Sequence, residues 1–279
     1  MVVRNFFKAL INGDFYVALV SSGLALTIYA VYNIPLNDVT PIIITIFIAF
    51  MIYAINRQVD QDVDQINLPE RTSFVKKYGK QLTLLSIVLT IIAFYLAFSR
   101  SVNVLLASFV AAVIGYFYSY PFPVLGRFKD KHIWKNIGVG LIYAALALIT
   151  ITYFAVSTPA ETFVLLFIFF SSWFLISSFF DLRDVEGDLY AGIKTIPIVV
   201  GRKNILPLFH VINVVPILLG GGLVLLNIID FRFISAAIFT SLYSLIYLFG
   251  RAYEIDMKFL CMVIADATPF VVSLILFFI

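Results

Sequence analysis

Long apolar segments, separated by short polar ones, run along almost the whole chain. Segments of about 17 to 25 apolar residues are long enough to cross a bilayer as helices. Nine such segments are present, at Phe15–Ile34, Thr40–Asn56, Gln81–Phe98, Asn103–Tyr120, Asn136–Val156, Thr162–Phe180, Leu206–Leu226, Phe231–Arg251 and Phe259–Ile279. The pattern predicts an all-α polytopic membrane protein with nine transmembrane helices, organised as a single domain over residues 1–279.

Composition supports the same class. The chain is 62% hydrophobic and only 13% charged, with a mean hydropathy of +1.03, so a water-soluble core of this size could not bury its apolar surface. The first apolar segment is too long for a cleavable signal peptide, and we expect it to remain in the mature protein. A single cysteine, Cys261, excludes an intramolecular disulfide and a cysteine-based zinc site.

The basic residues divide unevenly between the two sides of the predicted membrane. If the nine helices alternate in direction, 17 of the 19 Lys and Arg residues fall on the side of the N-terminus, and only Arg100 and Arg232 fall opposite. Cytoplasmic loops carry an excess of basic residues. The distribution therefore predicts an integral cell-membrane protein whose N-terminus is cytoplasmic and whose C-terminus is external.

The most informative polar pattern is Asp-x-x-x-Asp, which occurs twice, at Asp60/Asp64 and at Asp184/Asp188. The copies follow the second and sixth predicted helices, so both face the cytoplasm. Carboxylates four residues apart share one face of a helix and together suit a hard cation. The two copies lie 124 positions apart, a hint of duplication that no wider repeat supports.

In the first site, Asn56, Asp60 and Asp64 recur every four residues and stack on one helical face, whereas Asp62 points elsewhere. A solvated acidic helix end is the simpler interpretation. Acidic residues at a helix C-terminus oppose the macrodipole, however, so they need a compensating cation. An EF-hand is excluded, because its glycine and its final bidentate glutamate are missing from the required positions.

In the second site, Asp181, Asp184 and Asp188 follow i, i+3, i+7 spacing and share one helical face. A polar loop rich in ion pairs would also fit this segment. Two acidic sites facing the same compartment favour a joint function instead.

These residues carry a specific resemblance. The patterns Asn56-x-x-x-Asp60-x-x-x-Asp64 and Asp181-x-x-Asp184-x-x-x-Asp188 resemble the two signatures of the UbiA superfamily of intramembrane prenyltransferases. The resemblance implies a helical bundle around a central cavity, in which Mg²⁺, as two ions, holds an isoprenyl diphosphate. It gives catalytic roles to Asp60, Asp64, Asp184 and Asp188, which would bind the metal together with Asp181 and Asn56.

The implied activity is Mg²⁺-dependent transfer of an isoprenyl group to an aromatic or other lipophilic acceptor, as in quinone or lipid biosynthesis. Metal and basic side chains would stabilise the departing diphosphate, so that the allylic carbon–oxygen bond ionises. An apolar cavity would then shelter the carbocation from water until it alkylates the acceptor. The expected partners are the donor, the acceptor and the bilayer, and no nucleic acid.

Diphosphate-binding roles follow by the same resemblance. Asn56 belongs to the first signature, and Arg71 and Lys194 follow the first and second signatures at positions suited to clamping phosphate. Tyr120 and Lys129, between the fourth and fifth predicted helices, resemble a third element of the family. For any one of these basic residues, membrane topology alone would also explain the charge.

Several features leave alternatives open. The family's Arg-Pro segment at the first helix is missing, and Lys8 is the nearest basic residue there, which leaves the acceptor unassigned. A CDP-alcohol phosphotransferase would need an Asp-Gly-x-x-Ala-Arg element that neither site contains. A transporter that uses the carboxylates as a cation or proton site is the remaining alternative. Asp266, inside the ninth predicted helix, either faces the cavity or supports a hydrogen bond within the bundle.

Overall fold

The computed structural model describes residues 2–120, 129, 133–201 and 204–279, and the described residues are almost entirely helical. In chain order the α-helices are α1 Val2–Asn12, α2 Phe15–Val20, α3 Ser22–Val31, α4 Thr40–Val59, α5 Gln61–Asn67, α6 Pro69–Arg100, α7 Val102–Ser119, α8 Trp134–Phe154, α9 Pro159–Arg183, α10 Val185–Tyr190, α11 Ile196–Val200, α12 Ile205–Leu225, α13 Phe231–Ala252, α14 Met257–Phe259 and α15 Thr268–Leu276. A π-helix, Leu260–Ala265, joins α14 to α15.

Seven of the described helices are long and apolar enough to cross a membrane: α4, α6, α7, α8, α9, α12 and α13. Two further spans are bent pairs, one of α1 with α2–α3 (71°) and one of α14 and the π-helix with α15 (42°). The prediction of an all-helical polytopic membrane protein is confirmed, with nine spans among the described residues if each bent pair counts as one.

The first and third spans differ from their predicted bounds. Helix α1 precedes the predicted start of the first span at Phe15, and it is set at an angle to α2 because Asp14 adopts φ 59°, a left-handed conformation that interrupts a helix. Helix α6 begins at Pro69, twelve residues before the predicted start at Gln81. Proline is favoured at the first position of a helix, where its missing N–H is not needed.

The helices form a bundle in which the N-terminal helix α3 packs against the C-terminal helix α15. Helix α8 packs against α7 and α9, α4 against α6 and α7, and α15 against α3 and α13. Gly23 on α3 touches the backbone of Pro269 and Phe270, where a Cβ would collide, the close approach that small residues permit between membrane helices. Helix α6 lies outermost, and its Leu84, Ile91 and Tyr95 are about two-thirds exposed, as expected of a lipid-facing helix.

Candidate active site

Each acidic motif lies at a break between a long helix and the short helix that follows it. Asp60 separates α4 from α5, and Asp184 separates α9 from α10, with nearly the same backbone angles (φ −97°, ψ 10° and φ −94°, ψ 7°). In each motif the second aspartate donates its backbone N–H to the carbonyl of the first at 2.9 Å. The four-residue helical repeat therefore continues through both breaks, and each pair of carboxylates shares one face.

The two motifs face each other across a cavity of about 150 Å³ that the other helices enclose. Its polar end contains five carboxylates, two amides and four basic side chains: Asp60, Asp64, Asp181, Asp184, Asp188, Asn56, Asn67, Arg57, Lys129, Lys135 and Arg183. Its other end is apolar and aromatic, and includes Ala49, Ile142, Tyr143, Leu146, Trp173 and Ile176. Asp62 is exposed and lies outside this lining, in agreement with its predicted direction.

Motif one is held by two cations, Lys129 and Arg57, and one of them also binds a third acidic segment. Lys129 forms an ion pair with Asp60 and donates a hydrogen bond to Oδ1 of Asn56 at 2.9 Å. Arg57 donates to Asp64 at 3.3 Å and, through Nε, to Asp14 at 3.2 Å. Helix α4, the segment before α8 and the break between α1 and α2 thus meet at this motif.

Two aspartates of motif two, Asp181 and Asp188, are more deeply buried than those of motif one, and they share one lysine. Lys135 lies 2.7 Å from Oδ1 of Asp181 and 3.2 Å from Oδ2 of Asp188, and the two carboxylate side chains are 0% and 3% exposed. Asn136 donates to the other oxygen of Asp181 at 2.9 Å. Arg183 grips Asp184 through two hydrogen bonds of 2.7 Å each, the bidentate geometry that favours arginine.

These surroundings shift the pKa values of Asp184 and Asp188 in opposite directions. Burial alone would raise the pKa of Asp184, but the guanidinium of Arg183 outweighs it and lowers that pKa below the usual value. At Asp188, burial raises the pKa to about 6, because the opposing charge of Lys135 does not outweigh burial and the neighbouring Asp181 and Asp184 carboxylates.

A direct hydrogen bond joins the two motifs. The side-chain oxygen of Asn67, the last residue of α5, accepts the backbone N–H of Gly187 at 3.0 Å. This N–H lies in the first turn of α10, where the helix itself provides no acceptor. A Cβ at Gly187 would collide with the Asn67 amide. The absence of a side chain at Gly187 therefore allows α5 and α10 to approach each other.

Of the residues predicted for the site, seven line the cavity together and three do not. The seven are Asn56, Asp60, Asp64, Lys129, Asp181, Asp184 and Asp188. Lys194 lies exposed after α10. Tyr120 is also exposed, because it follows Tyr116 by four residues on the outward face of α7, where the two rings stack with centroids 4.8 Å apart. Tyr118, two residues earlier, lines the cavity in its place.

Arg71, the third residue placed outside, is buried behind the site. Its Nη1 lies 3.9 Å from Asp14, and its Nε has no hydrogen-bond partner among the described residues. It borders a second cavity of about 30 Å³ that Arg57 and Arg183 separate from the first. Asp266 borders the same small cavity and is absent from the lining of the main cavity.

The residues that sequence reasoning missed are cations and amides, and most of them belong to the helices that carry the motifs. Arg57 carried a usable signal, because it lies seven residues before Asp64 and so on the same helical face. Arg183 carried one too, because it directly precedes Asp184, with which it forms an ion pair. Lys135 and Asn67 carried only the general excess of polar residues on the side that holds most of the basic residues. Their side chains enter the cavity because of helix packing, which no local spacing reveals.

The donor set suits a hard divalent cation, which prefers carboxylate and amide oxygens. Two aspartate groups with neighbouring amides, gathered at one cavity, fit Mg²⁺ by donor chemistry. Among the described residues, no group of three or more Asp, Glu, His or Cys side chains is arranged as a metal centre. The carboxylates are engaged instead by the lysines and arginines named above.

Comparison with known proteins agrees with these features. The sequence profile of the UbiA prenyltransferase family matches residues 16–258. A 2-acylphloroglucinol 4-prenyltransferase of Humulus lupulus is 30% identical over 187 residues, which is 64% of this chain and 42% of that protein. The chain therefore spans less than half the length of this relative.

The fold is similar to that of a UbiA homologue from Archaeoglobus fulgidus bound to GPP and Mg²⁺, with a TM-score of 0.69 at 20% identity over 98% of this chain and 100% of that one. The structure of a UbiA homologue from A. fulgidus bound to DMAPP and Mg²⁺ gives a TM-score of 0.65 at 20% identity, over 96% and 99% of the two chains. By its sequence match, the chain belongs to the UbiA prenyltransferase family.

Proposed function

We propose that this protein transfers an isoprenyl group from an isoprenyl diphosphate to an aromatic or other lipophilic acceptor in the membrane. The carrying observation is the division of one cavity into two ends, one with five carboxylates and four basic side chains and one apolar and aromatic. An isoprenyl diphosphate has the same division, with a multiply charged head and a hydrocarbon tail. The prenyltransferase named above, from H. lupulus, supports the proposal.

We further propose that the head group is held with two Mg²⁺ ions, one at each motif. Asn56, Asp60 and Asp64 would hold one ion, and Asp181, Asp184 and Asp188 the other. When bound, Mg²⁺ supplies Lewis-acid stabilisation of the departing diphosphate. The A. fulgidus homologue, bound to Mg²⁺ and GPP, supports the choice of metal.

The protein's own side chains supply the rest of the chemistry. Lys129, Lys135, Arg57 and Arg183 line the polar end and bring positive charge to the phosphate oxygens as the carbon–oxygen bond breaks. The apolar end excludes water from the allylic cation until the acceptor attacks it. Arg71, Tyr120 and Lys194 lie outside the cavity lining and are not given this role.

The transporter hypothesis receives less support. Carboxylates that relay ions through a membrane usually lie near its midplane. Here the paired aspartates lie at the ends of α4 and α9, with arginines and lysines against them.

The decisive test is incubation of the purified full chain with radiolabelled geranyl, farnesyl and geranylgeranyl diphosphates and a panel of acceptors, an acylphloroglucinol included. We expect Mg²⁺-dependent transfer that stops when the metal is chelated. The exposed-position variant Asp62→Ala is the matched control and should retain activity. The proposal fails if the wild-type protein neither transfers, hydrolyses nor binds any of the three donors.

We also propose that the active-site side faces the cytoplasm, because 17 of the 19 basic residues belong to that side. The variants Asp62→Cys and Asn37→Cys, both at exposed positions and each made with Cys261→Ser, would lie on opposite sides. In intact cells, a membrane-impermeant maleimide should label Asn37→Cys and spare Asp62→Cys. The reverse labelling would overturn the orientation.

A further inference from the structure

The apolar end of the cavity has a floor at a definable depth. On each of three helices, the innermost lining residue lies eleven positions from a charged residue of the polar end. The three pairs are Ala49 with Asp60 on α4, Leu146 with Lys135 on α8, and Trp173 with Asp184 on α9. A helix rises 1.5 Å per residue, so all three place the floor about 16 Å from the charged layer.

Interlocked aromatic side chains support this floor. Trp173 belongs to the floor layer, whereas Tyr143 and Tyr53 lie eight and seven positions from Lys135 and Asp60, about one helical turn nearer to the charged end. The ring of Trp173 stacks on that of Tyr143 with centroids 3.3 Å apart and an interplanar angle of 9°. The hydroxyl of Tyr143 forms a hydrogen bond with that of Tyr53. Trp173 and Tyr143 are each 2% exposed and Leu146 is 1% exposed. The floor is therefore held by neighbours from three helices and does not open to the lipid.

The walls just above the floor are closed as well. Ile52, Ile142 and Ile176, one from each lining helix, are at most 5% exposed. A hydrocarbon tail that enters from the charged end therefore contacts buried side chains of α4, α8 and α9, and it does not reach the lipid past these three helices.

The indole N–H of Trp173 has no hydrogen-bond partner among the described residues. A buried donor without a partner is unfavourable. Tryptophan at this position is therefore explained by the volume of its ring rather than by a hydrogen bond.

The available depth limits the length of a tail. Two Mg–O bonds of about 2 Å each separate a carboxylate oxygen from a phosphate oxygen, and the P–O and O–C bonds of the ester, about 1.5 Å each, precede the first carbon of the tail. About 9 Å of the helical depth is left for hydrocarbon. An isoprene unit spans about 5 Å when its carbon–carbon bonds are about 1.5 Å long. The cavity thus has the depth of about two isoprene units.

We propose that Trp173, stacked on Tyr143, ends the prenyl pocket and restricts the donor to chains of ten carbons or fewer. Trp173 is then a specificity-determining residue. This inference rests on the proposed prenyl transfer and adds the chain length to it.

The test compares donors of five, ten, fifteen and twenty carbons with the full-length protein and Mg²⁺. We expect kcat/KM of the wild type to be at least tenfold higher for the ten-carbon donor than for the twenty-carbon donor. Trp173→Ala should raise the ratio of twenty-carbon to ten-carbon kcat/KM by tenfold or more. Trp173→Leu, a milder change, should shift the ratio in the same direction.

A matched control and a binding measurement separate specificity from damage. Phe169→Ala removes a buried aromatic one turn away on the same helix that does not line the cavity, and it should leave the ratio unchanged. Non-hydrolysable prenyl thiodiphosphates should raise the Tm of the wild type with ten carbons but not with twenty. In Trp173→Ala, both should raise the Tm.

Two results would overturn the inference while leaving prenyl transfer intact. One is equal kcat/KM of the wild type for ten-carbon and twenty-carbon donors, which would mean that the tail leaves the bundle sideways. The other is an unchanged ratio in both Trp173 variants. If no donor of any length is transferred or bound, prenyl transfer itself fails and the inference falls with it.

Discussion

The two acidic motifs share a backbone and differ in their surroundings. Asp60 and Asp184 interrupt their helices with nearly equal angles, and the second aspartate of each motif follows four residues later. In motif one, the Asp60 and Asp64 side chains are 13% and 15% exposed, and their cations come from separate parts of the chain. In motif two, Asp181 and Asp188 are almost fully buried and share Lys135.

The difference shows that the same sequence pattern can lie in two environments that differ in burial and in ion pairing. Local spacing sets the backbone and the shared face of each carboxylate pair. Each motif has one arginine from its own helix, Arg57 or Arg183, but its burial and its lysine come from other parts of the chain. Two motifs with the same spacing therefore differ in the free energy of burying and pairing their carboxylates.

The largest expected effect is common to both motifs. Asp60→Ala, Asp64→Ala, Asp184→Ala and Asp188→Ala should each reduce kcat by about 10²–10³-fold or more, because charge stabilisation of the departing diphosphate is lost. The measurement is prenyl transfer by protein that remains folded and monodisperse. Asp62→Ala, on the exposed face, should stay near the wild type. Unchanged activity in any two of the four variants would refute the site assignment.

Removal of the lysine from each motif should lower the free energy of unfolding by different amounts. Lys135→Met leaves two buried carboxylates without their shared cation and should cost about 3–5 kcal/mol of stability. Lys129→Met affects the more exposed Asp60 and should cost about 1–3 kcal/mol. Thermal or denaturant unfolding in detergent measures both variants. Equal losses would show that the burial difference between the motifs has no energetic consequence.

The hydrogen bond between the motifs offers a smaller and more specific perturbation. Asn67→Leu leaves the Gly187 N–H without its acceptor and should cost about 1–3 kcal/mol. It should also raise the Mg²⁺ concentration needed for half-maximal activity, because the bond sets the approach of α5 to α10.

Asn67→Asp is the matched control for this bond, because it keeps an accepting oxygen at the same position. It should retain most of the stability that Asn67→Leu loses. If the two substitutions lower the Tm equally, the bond from Gly187 is not what joins the motifs.

The smallest effect is expected at Lys194. It is exposed outside the cavity lining, and surface substitutions usually change free energies by less than about 0.5 kcal/mol. Lys194→Ala should therefore keep kcat/KM within about twofold of the wild type by the same measure. A loss above tenfold would mean that the loop after α10 contributes to the diphosphate site, as the sequence pattern suggested.

The sequence predicted the site best where the helical repeat alone decides which side chains share a face. Asn56, Asp60 and Asp64 share a face because four residues make about one turn, and that repeat persists through the break at Asp60. The same reasoning directed Asp62 outward. Tyr120, which was predicted from the family resemblance alone, does not line the cavity, because it shares the outward face of α7 with Tyr116 four positions earlier.

The amino-acid sequence by itself determined that the protein spans a membrane, approximately where its helices lie and which aspartates share a face. These properties depend on apolar length and helical period, which are local. Only the tertiary structure decided that Lys135 and Asn67 enter the site, that Arg71 lies behind it and that Trp173 closes its apolar end. These positions depend on how α4, α8 and α9 pack together, and packing joins residues that are far apart in the chain.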